Sequence, residues 1–84
     1  MTDEEMKKDI DSIGGEMYRS GYAVAINDQV PYISVVNRVG EVAFFSSDGD
    51  AGELIEQAGV MAESYVVDDE TALLYILKTV GVIE

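Results

Sequence analysis

The side chains that could do chemistry in this sequence are almost all carboxylates. Histidine and cysteine are absent from the 84 residues, so the chain lacks the commonest general base, the usual zinc ligands and the most nucleophilic side chain. Lys7, Lys8 and Lys78 fall on predicted helix surfaces, where a lysine stays protonated because burial is what lowers its pKa. The sequence therefore predicts a protein that is not an enzyme.

The densest group of carboxylates is the loop Asp48-Gly49-Asp50-Ala51-Gly52-Glu53. A calcium loop of the EF-hand type needs acidic or amide side chains at positions one, three and five and a glutamate at position twelve. Counted from Asp48, positions five and twelve are Gly52 and Gly59, and helix capping accounts for the acids. No Lys-Ser or Lys-Thr pair follows these glycines closely, which excludes a phosphate-binding loop. We expect neither a metal nor a cofactor.

The charge is strongly one-sided. Seventeen aspartates and glutamates stand against five lysines and arginines, which gives a formal net charge of −12 at pH 7. Nine of the acids fall at predicted helix starts, where carboxylates cap free N–H groups and complement the helix dipole. These nine are Asp3, Glu4, Glu5, Asp48, Asp50, Glu53, Asp68, Asp69 and Glu70. Capping does not explain the shortage of cations, and such a chain should repel nucleic acids and anionic membranes but attract basic protein surfaces.

Hydrophobic periodicity predicts the order of the elements. Four apolar residues are spaced so that they share one helical face, which predicts helix one from about Thr2 to Arg19. They are Met6, Ile10, Ile13 and Met17. Three runs rich in Val, Ile, Tyr and Phe predict strands separated by turns, at Tyr22–Asn27, Pro31–Asn37 and Glu41–Ser46. Helix three opens at Asp68-Asp69-Glu70, and helical spacing predicts its buried face to be Leu73, Ile76, Leu77 and Val80.

Two segments allow more than one interpretation. Gly14-Gly15 lies inside helix one and could break or bend it. Helix two, capped by Asp50, should be short and stop at Gly59. Val60–Val67 then either forms a short fourth strand, because Tyr65-Val66-Val67 is typical of one, or extends the helix past its glycine.

The order α-β-β-β-α-(β)-α predicts one α+β domain over residues 1–84. It should be a two-layer sandwich, with an antiparallel meander of three to four strands packed by three helices. Strict alternation places Val42 and Phe44 opposite Ala43 and Phe45 in the third strand. Both faces of the meander are fairly apolar, so helices should cover one face and something else part of the other.

The N-terminal segment bears on localisation. Six of its first ten residues are charged, and the segment includes no apolar stretch of the length a secretory signal needs. No run approaches the roughly 20 apolar residues of a membrane span. The absence of cysteine excludes a disulfide scaffold. These features favour a cytoplasmic protein.

The element order and the placement of the acids resemble those of small phage-encoded anti-CRISPR inhibitors that mimic DNA, and are similar to phage inhibitors of uracil glycosylase. The resemblance is carried by the acids that bracket the passage from Ser46 to Glu56 and by the Asp68-Asp69-Glu70 start of the last helix. It implies an inhibitor that occupies the basic groove of a nuclease or another nucleic-acid-binding protein and catalyses no reaction. From the placement of the charge, we expect the partner-binding residues to be Asp48, Asp50, Glu53, Glu56, Asp68, Asp69 and Glu70.

An acidic adaptor, chaperone or immunity module is the alternative function. It would act through an apolar patch, as a homodimer, rather than through its carboxylates. The candidates for such a patch are the aromatic side chains Tyr18, Tyr22, Tyr32, Phe45 and Tyr65. On either hypothesis the partner is a protein surface, and the chain itself is a monomer or a homodimer.

Overall fold

The computed structural model describes residues 2–83. Three α-helices and a three-stranded antiparallel sheet follow one another in the order α-β-β-β-α-α. The elements are α1 Asp3–Arg19, β1 Ala23–Asn27, β2 Tyr32–Val36, β3 Val42–Ser46, α2 Gly49–Tyr65 and α3 Asp69–Thr79. The predicted α+β class and the antiparallel meander are confirmed, and each observed strand lies inside its predicted run.

A complete capping box begins α1. The Thr2 hydroxyl accepts the Glu5 backbone N–H at 3.2 Å, and the Glu5 carboxylate accepts the Thr2 backbone N–H at 3.4 Å. The helix then runs unbroken through Gly14-Gly15. A Cβ on Gly14 would collide with the backbone carbonyl of Thr71 in α3. The glycine therefore marks the closest approach of α1 to α3 and does not end the helix.

The sheet has β2 at its centre, paired with β1 on one side and β3 on the other. Ile33 and Val35 of β2 are fully buried, and Val24, Ile26 and Phe44 of the outer strands pack beside them. These side chains form the inner face, which shares one hydrophobic core with the helices. Alternation of apolar side chains along paired strands produces such a face.

An asparagine organises each of the two turns. The Asn27 side-chain oxygen accepts the backbone N–H groups of Gln29 and Val30, at 2.9 and 3.1 Å. The Asn37 side-chain oxygen accepts those of Val39 and Glu41, at 3.1 and 3.0 Å. Asparagine suits both places because its short side chain bonds the backbone of the following residues.

The alternation predicted for β3 is wrong at one residue. The register against β2 shifts by one position, so that Ala43 has no direct partner on the central strand. Such a bulge re-aims the side chains around it. Ala43 and Phe44 both pack against the core as a result, whereas Val42 and Phe45 are exposed.

Helix α2 does not stop at Gly59, and no fourth strand forms within residues 2–83. The helix continues to Tyr65 and ends where Val66 adopts a left-handed conformation, with φ 54°. Ala51, Ala58 and Ala62 are its buried residues, and their spacing of seven and four keeps one helical face on the core beyond the glycine. That continuous face outweighs the helix cost of Gly59, which is about 1 kcal/mol.

Helix α3 is buried on every side over its middle. All seven residues from Thr71 to Leu77 are buried, because α3 packs closely against both α1 and α2 and shares the core with the sheet. A helix that is apolar all round belongs in such a position. The prediction of a single buried face is therefore too narrow, and Val80, which it included, lies beyond the helix and is 64% exposed.

Candidate functional site: the acidic end

The three helices begin at the same end of the sheet. This end carries the β1–β2 turn, residues 28–31, and β3 also finishes here because it runs antiparallel to β2. α2 starts three residues after β3 ends, and its Gly52 lies beside Pro31 of the turn. α3 starts next to Asp28, with which its Asp69 and Glu70 line a cavity.

The first turns of helix α1 also lie near this end of the sheet. It finishes at the other end of the sheet, where Gly21 lies against Arg38 in the β2–β3 turn. Its 17 residues span about 25 Å, which brings its first turns back to the start of α3. There the Lys7 ammonium group donates to the backbone carbonyl of Val66 at 3.5 Å.

We call this region the acidic end. Its carboxylates do not form one cluster: Asp28, Asp69 and Glu70 line one cavity, and Asp48 and Asp50 line another beside β3. Its residues are Asp3, Glu4, Glu5, Asp28, Asp48, Asp50, Asp68, Asp69 and Glu70. Lys7 and Lys8 are the cations on the neighbouring part of α1. Arg19, Arg38 and Lys78 lie toward the other end of the sheet. Acids accompany these cations, since Glu41 lies beside Arg38 and Glu16 beside Lys78, so the other end of the sheet carries mixed charge.

Two of the seven predicted binding residues cap helices. The Asp48 carboxylate accepts the Asp50 backbone N–H at 2.9 Å and the Ser46 hydroxyl at 3.2 Å. The Asp68 carboxylate accepts the Thr71 backbone N–H at 3.0 Å. These bonds satisfy N–H groups that have no partner inside the helix, so both aspartates have a structural role whatever they bind.

The other five predicted residues are placed for contact with a partner. Asp50, Glu53, Glu56 and Asp69 are exposed and Glu70 is half-buried, and their carboxylates accept no hydrogen bond from the described part of the chain. Helix α2 carries three of these five residues. Asp50 lies in its first turn, and Glu53 and Glu56 lie on its surface beside Val60.

Asp28 belongs to this surface although sequence reasoning did not select it. With Asp69, Glu70, Ile26 and Ile55 it lines an open cavity of about 490 Å³. The residue is in a turn, far from any helix start in the sequence, so capping patterns do not reveal it. Antiparallel topology could have revealed it, because the β1–β2 turn and the end of β3 must lie at one end of the sheet.

Two further described carboxylates bond side chains of other residues, one on α1 and one beside the β2–β3 turn. Asp9 accepts the Tyr75 hydroxyl at 2.9 Å, and Glu41 accepts the Asn37 side-chain amide at 3.2 Å. Burial raises the pKa of Tyr75 from its ordinary value of 10.0, and the bond to Asp9 raises it further. Within residues 2–83, no group of three or more acidic residues is arranged to hold a metal ion.

The outer face of the sheet is the second unusual surface. Its residues carry no charge, and the largest exposed ones are Val42 and Phe45, which are 66% and 58% exposed. Phe45 stacks loosely on Tyr32, with ring centroids 6.5 Å apart. Among the tyrosines predicted for an apolar patch, Tyr18 is exposed but lies on α1, whereas Tyr22 and Tyr65 pack against the core.

Comparisons with protein-family models, with curated proteins and with solved structures found no match to this chain. None of the helices in residues 2–83 has the length and apolar composition that crossing a membrane requires. The chemistry of the two surfaces is therefore the basis on which a function is assigned.

Proposed function

We propose that this protein is a non-catalytic inhibitor that uses its acidic end to bind the basic nucleic-acid-binding surface of a partner protein. The cavity that brings Asp28, Asp69 and Glu70 together, at the end of the sheet from which α2 also starts, is the observation that supports the proposal. The carboxylates would occupy the positions at which the partner binds the phosphates of a nucleic acid. The nucleic-acid mimicry implied by the resemblance to anti-CRISPR inhibitors is the same mode of binding.

The capping residues add a second argument. Asp48 and Asp68 already accept hydrogen bonds from N–H groups at the helix starts, so the remaining acids are in excess of what capping needs. Net charge far from zero destabilises the compact state by self-repulsion. Acids at Asp50, Glu53, Glu56 and Asp69 cost the fold stability without an internal bond, which is the pattern expected of residues kept for binding.

A capture experiment tests the proposal. The immobilised protein is mixed with a bacterial lysate fraction enriched on heparin, a polyanion that selects nucleic-acid-binding proteins. We expect capture at about 50 mM NaCl, release by about 400 mM NaCl because screening weakens exposed charge pairs, and release by duplex DNA of random sequence. Capture that resists both salt and DNA, or no capture at low salt, would contradict the proposal.

A matched pair of variants tests the acids of α2 that lie at the acidic end and next to it. Asp50→Asn, Glu53→Gln and Glu56→Gln together remove three charges from α2 and leave both caps in place. Asp11→Asn, Glu16→Gln and Glu41→Gln remove three exposed charges elsewhere. The first triple variant should lose about threefold to a hundredfold in affinity, since each of three charge pairs at an interface edge contributes a few tenths to about 1 kcal/mol. Equal losses for both would mean that net charge alone drives binding.

An adaptor that binds through the outer face of the sheet is the second candidate function. The uncharged surface around Val42 and Phe45 favours it, since exposed apolar patches mark interaction sites. Phe45→Asp distinguishes the two candidates. It should abolish binding by an adaptor and leave capture through the acidic end unchanged.

A further inference from the structure

Strand β1 is an edge strand without the usual protection. β2 pairs with one side of it, and within residues 2–83 no other element packs extensively along the other side. Its sequence from Ala23 to Asn27 contains no charge and no proline, and its pairing with β2 shows no bulge. Natural edge strands generally carry one of these features, which prevent pairing with another chain. The other edge, β3, is altered by the bulge at Ala43.

We propose that the edge of β1 is covered by β1 of a second copy of this chain. The two strands would run antiparallel about a two-fold axis at Ala25 and join the two sheets into one of six strands. In this register Ala25 faces Ala25 and Val24 faces Ile26. The backbone N–H and C=O groups on the open side of β1 would then have partners. The inference does not rest on the proposed function, although Asp28, Asp69 and Glu70 belong to both surfaces.

The charges at the two ends of β1 favour a second copy of this chain as the neighbouring strand. Asp28, Asp69 and Glu70 surround Ile26 near the end of the strand. At its start, Lys78 lines a groove with Tyr22, which also includes Glu16. An antiparallel pair about a two-fold axis places the acidic residues near Ile26 of one copy beside Lys78 of the other. The symmetry repeats this contact, so it occurs twice in the dimer. A peptide of uniform charge would match only one end.

The side chains of β1 suit the same arrangement. Val24 and Ile26 are half-buried on the inner face, and an antiparallel neighbour would complete the burial of their open sides. Ala23 and Ala25 lie on the outer face, are exposed, and are small enough for two strands to meet without a clash. Elsewhere the net charge of −12 opposes self-association. The uncharged edge is therefore where two copies can approach.

Sedimentation equilibrium tests the inference. The interface is smaller than a standard one, so we expect a monomer–dimer equilibrium with a dissociation constant in the micromolar range, visible between about 5 and about 500 µM protein. Ala25→Asp should make the protein monomeric throughout, because it sets two carboxylates directly opposite each other across the axis. Val42→Asp places the same charge on the outer face at the other edge and should leave the dimer intact.

A charge exchange provides a test that does not depend on β1 itself. Lys78→Glu should weaken the dimer about fivefold or more relative to Lys8→Glu, which makes the same charge change on α1. Adding Asp28→Lys to Lys78→Glu should restore the dimer, because each contact again joins opposite charges. A wild-type monomer up to about 500 µM, a Val42→Asp monomer, or no rescue by the exchange would each overturn the inference.

Discussion

Gly14 has a role that helix propensity misrepresents. Propensity treats a glycine inside a helix as a weak point, yet α1 runs straight through Gly14 because Thr71 of α3 occupies the space where its Cβ would lie. At Gly59, in the middle of α2, a Cβ would meet no atom of the other described elements within 4 Å. Close packing therefore requires glycine at position 14 but not at position 59.

The two glycines should respond oppositely to alanine. Gly14→Ala should lower the free energy of unfolding by about 2–3 kcal/mol, because the methyl group forces α1 and α3 apart. Gly59→Ala should raise it by about 0.5–1 kcal/mol through helix propensity alone. Urea denaturation of both variants provides the measurement. A stabilised Gly14→Ala protein would mean that the helices do not approach each other as described.

Tyr75 should influence the alkaline limit of stability. Burial and the bond to Asp9 raise the pKa of Tyr75 in the folded protein, so the unfolded chain loses the proton first as pH rises above 10.0. The contribution of Tyr75 to stability is therefore constant below that pH and falls above it. Tyr75→Phe should cost about 1–2 kcal/mol at pH 7 through the lost hydrogen bond and should show a smaller fall above pH 10. A fall of equal size would exclude Tyr75 as its cause.

At the scale of elements, sequence patterns identified all six but misjudged two helices. The amphipathic stripe of α1 and the β-branched runs of the strands are strong local signals. The extension of α2 depends on alanines at positions 51, 58 and 62, which look weakly apolar until a close neighbour gives them burial. The complete burial of α3 depends on elements distant in sequence, so local periodicity underestimates it.

Leu74 and Val80 test that correction of α3. Helical periodicity places Val80 in the core and leaves Leu74 off the buried face, whereas in the structure Leu74 is fully buried and Val80 is 64% exposed. Leu74→Ala should cost about 2–5 kcal/mol through loss of packing and the cavity left behind. Val80→Lys should change stability by less than about 0.5 kcal/mol. Thermal unfolding of the two variants is sufficient, and a reversed order would support the simpler periodic helix.

For the whole molecule, the composition predicted the charge but not its arrangement. Six of the seven binding residues were selected from the starts of the second and third helices, with Glu56 added one turn further along, and the fold places Asp28 in the same cavity as Asp69 and Glu70. The arrangement depends on how strands and helices connect in space. The sequence does not display it directly.

The arrangement predicts how salt acts on stability. Nine carboxylates at the acidic end repel one another at low ionic strength, and salt screens that repulsion. Raising NaCl from about 20 mM to about 300 mM should raise the unfolding midpoint by about 3–8 °C. Asp28→Asn, Asp50→Asn and Asp69→Asn together should reduce the rise. A midpoint that falls with salt would show that attractive ion pairs outweigh the repulsion.

The complete burial of α3 also governs when the chain can fold during its synthesis. α3 follows every other helix and strand in the sequence, yet it lies between α1 and α2 and shares the core with β2. A nascent chain that has released only residues 1–68 has no helix to fill the centre and exposes Ile10, Ile33 and Val35. Formation of the native core must therefore wait until α3 has left the ribosome, and premature termination within α3 should give a product that proteases remove.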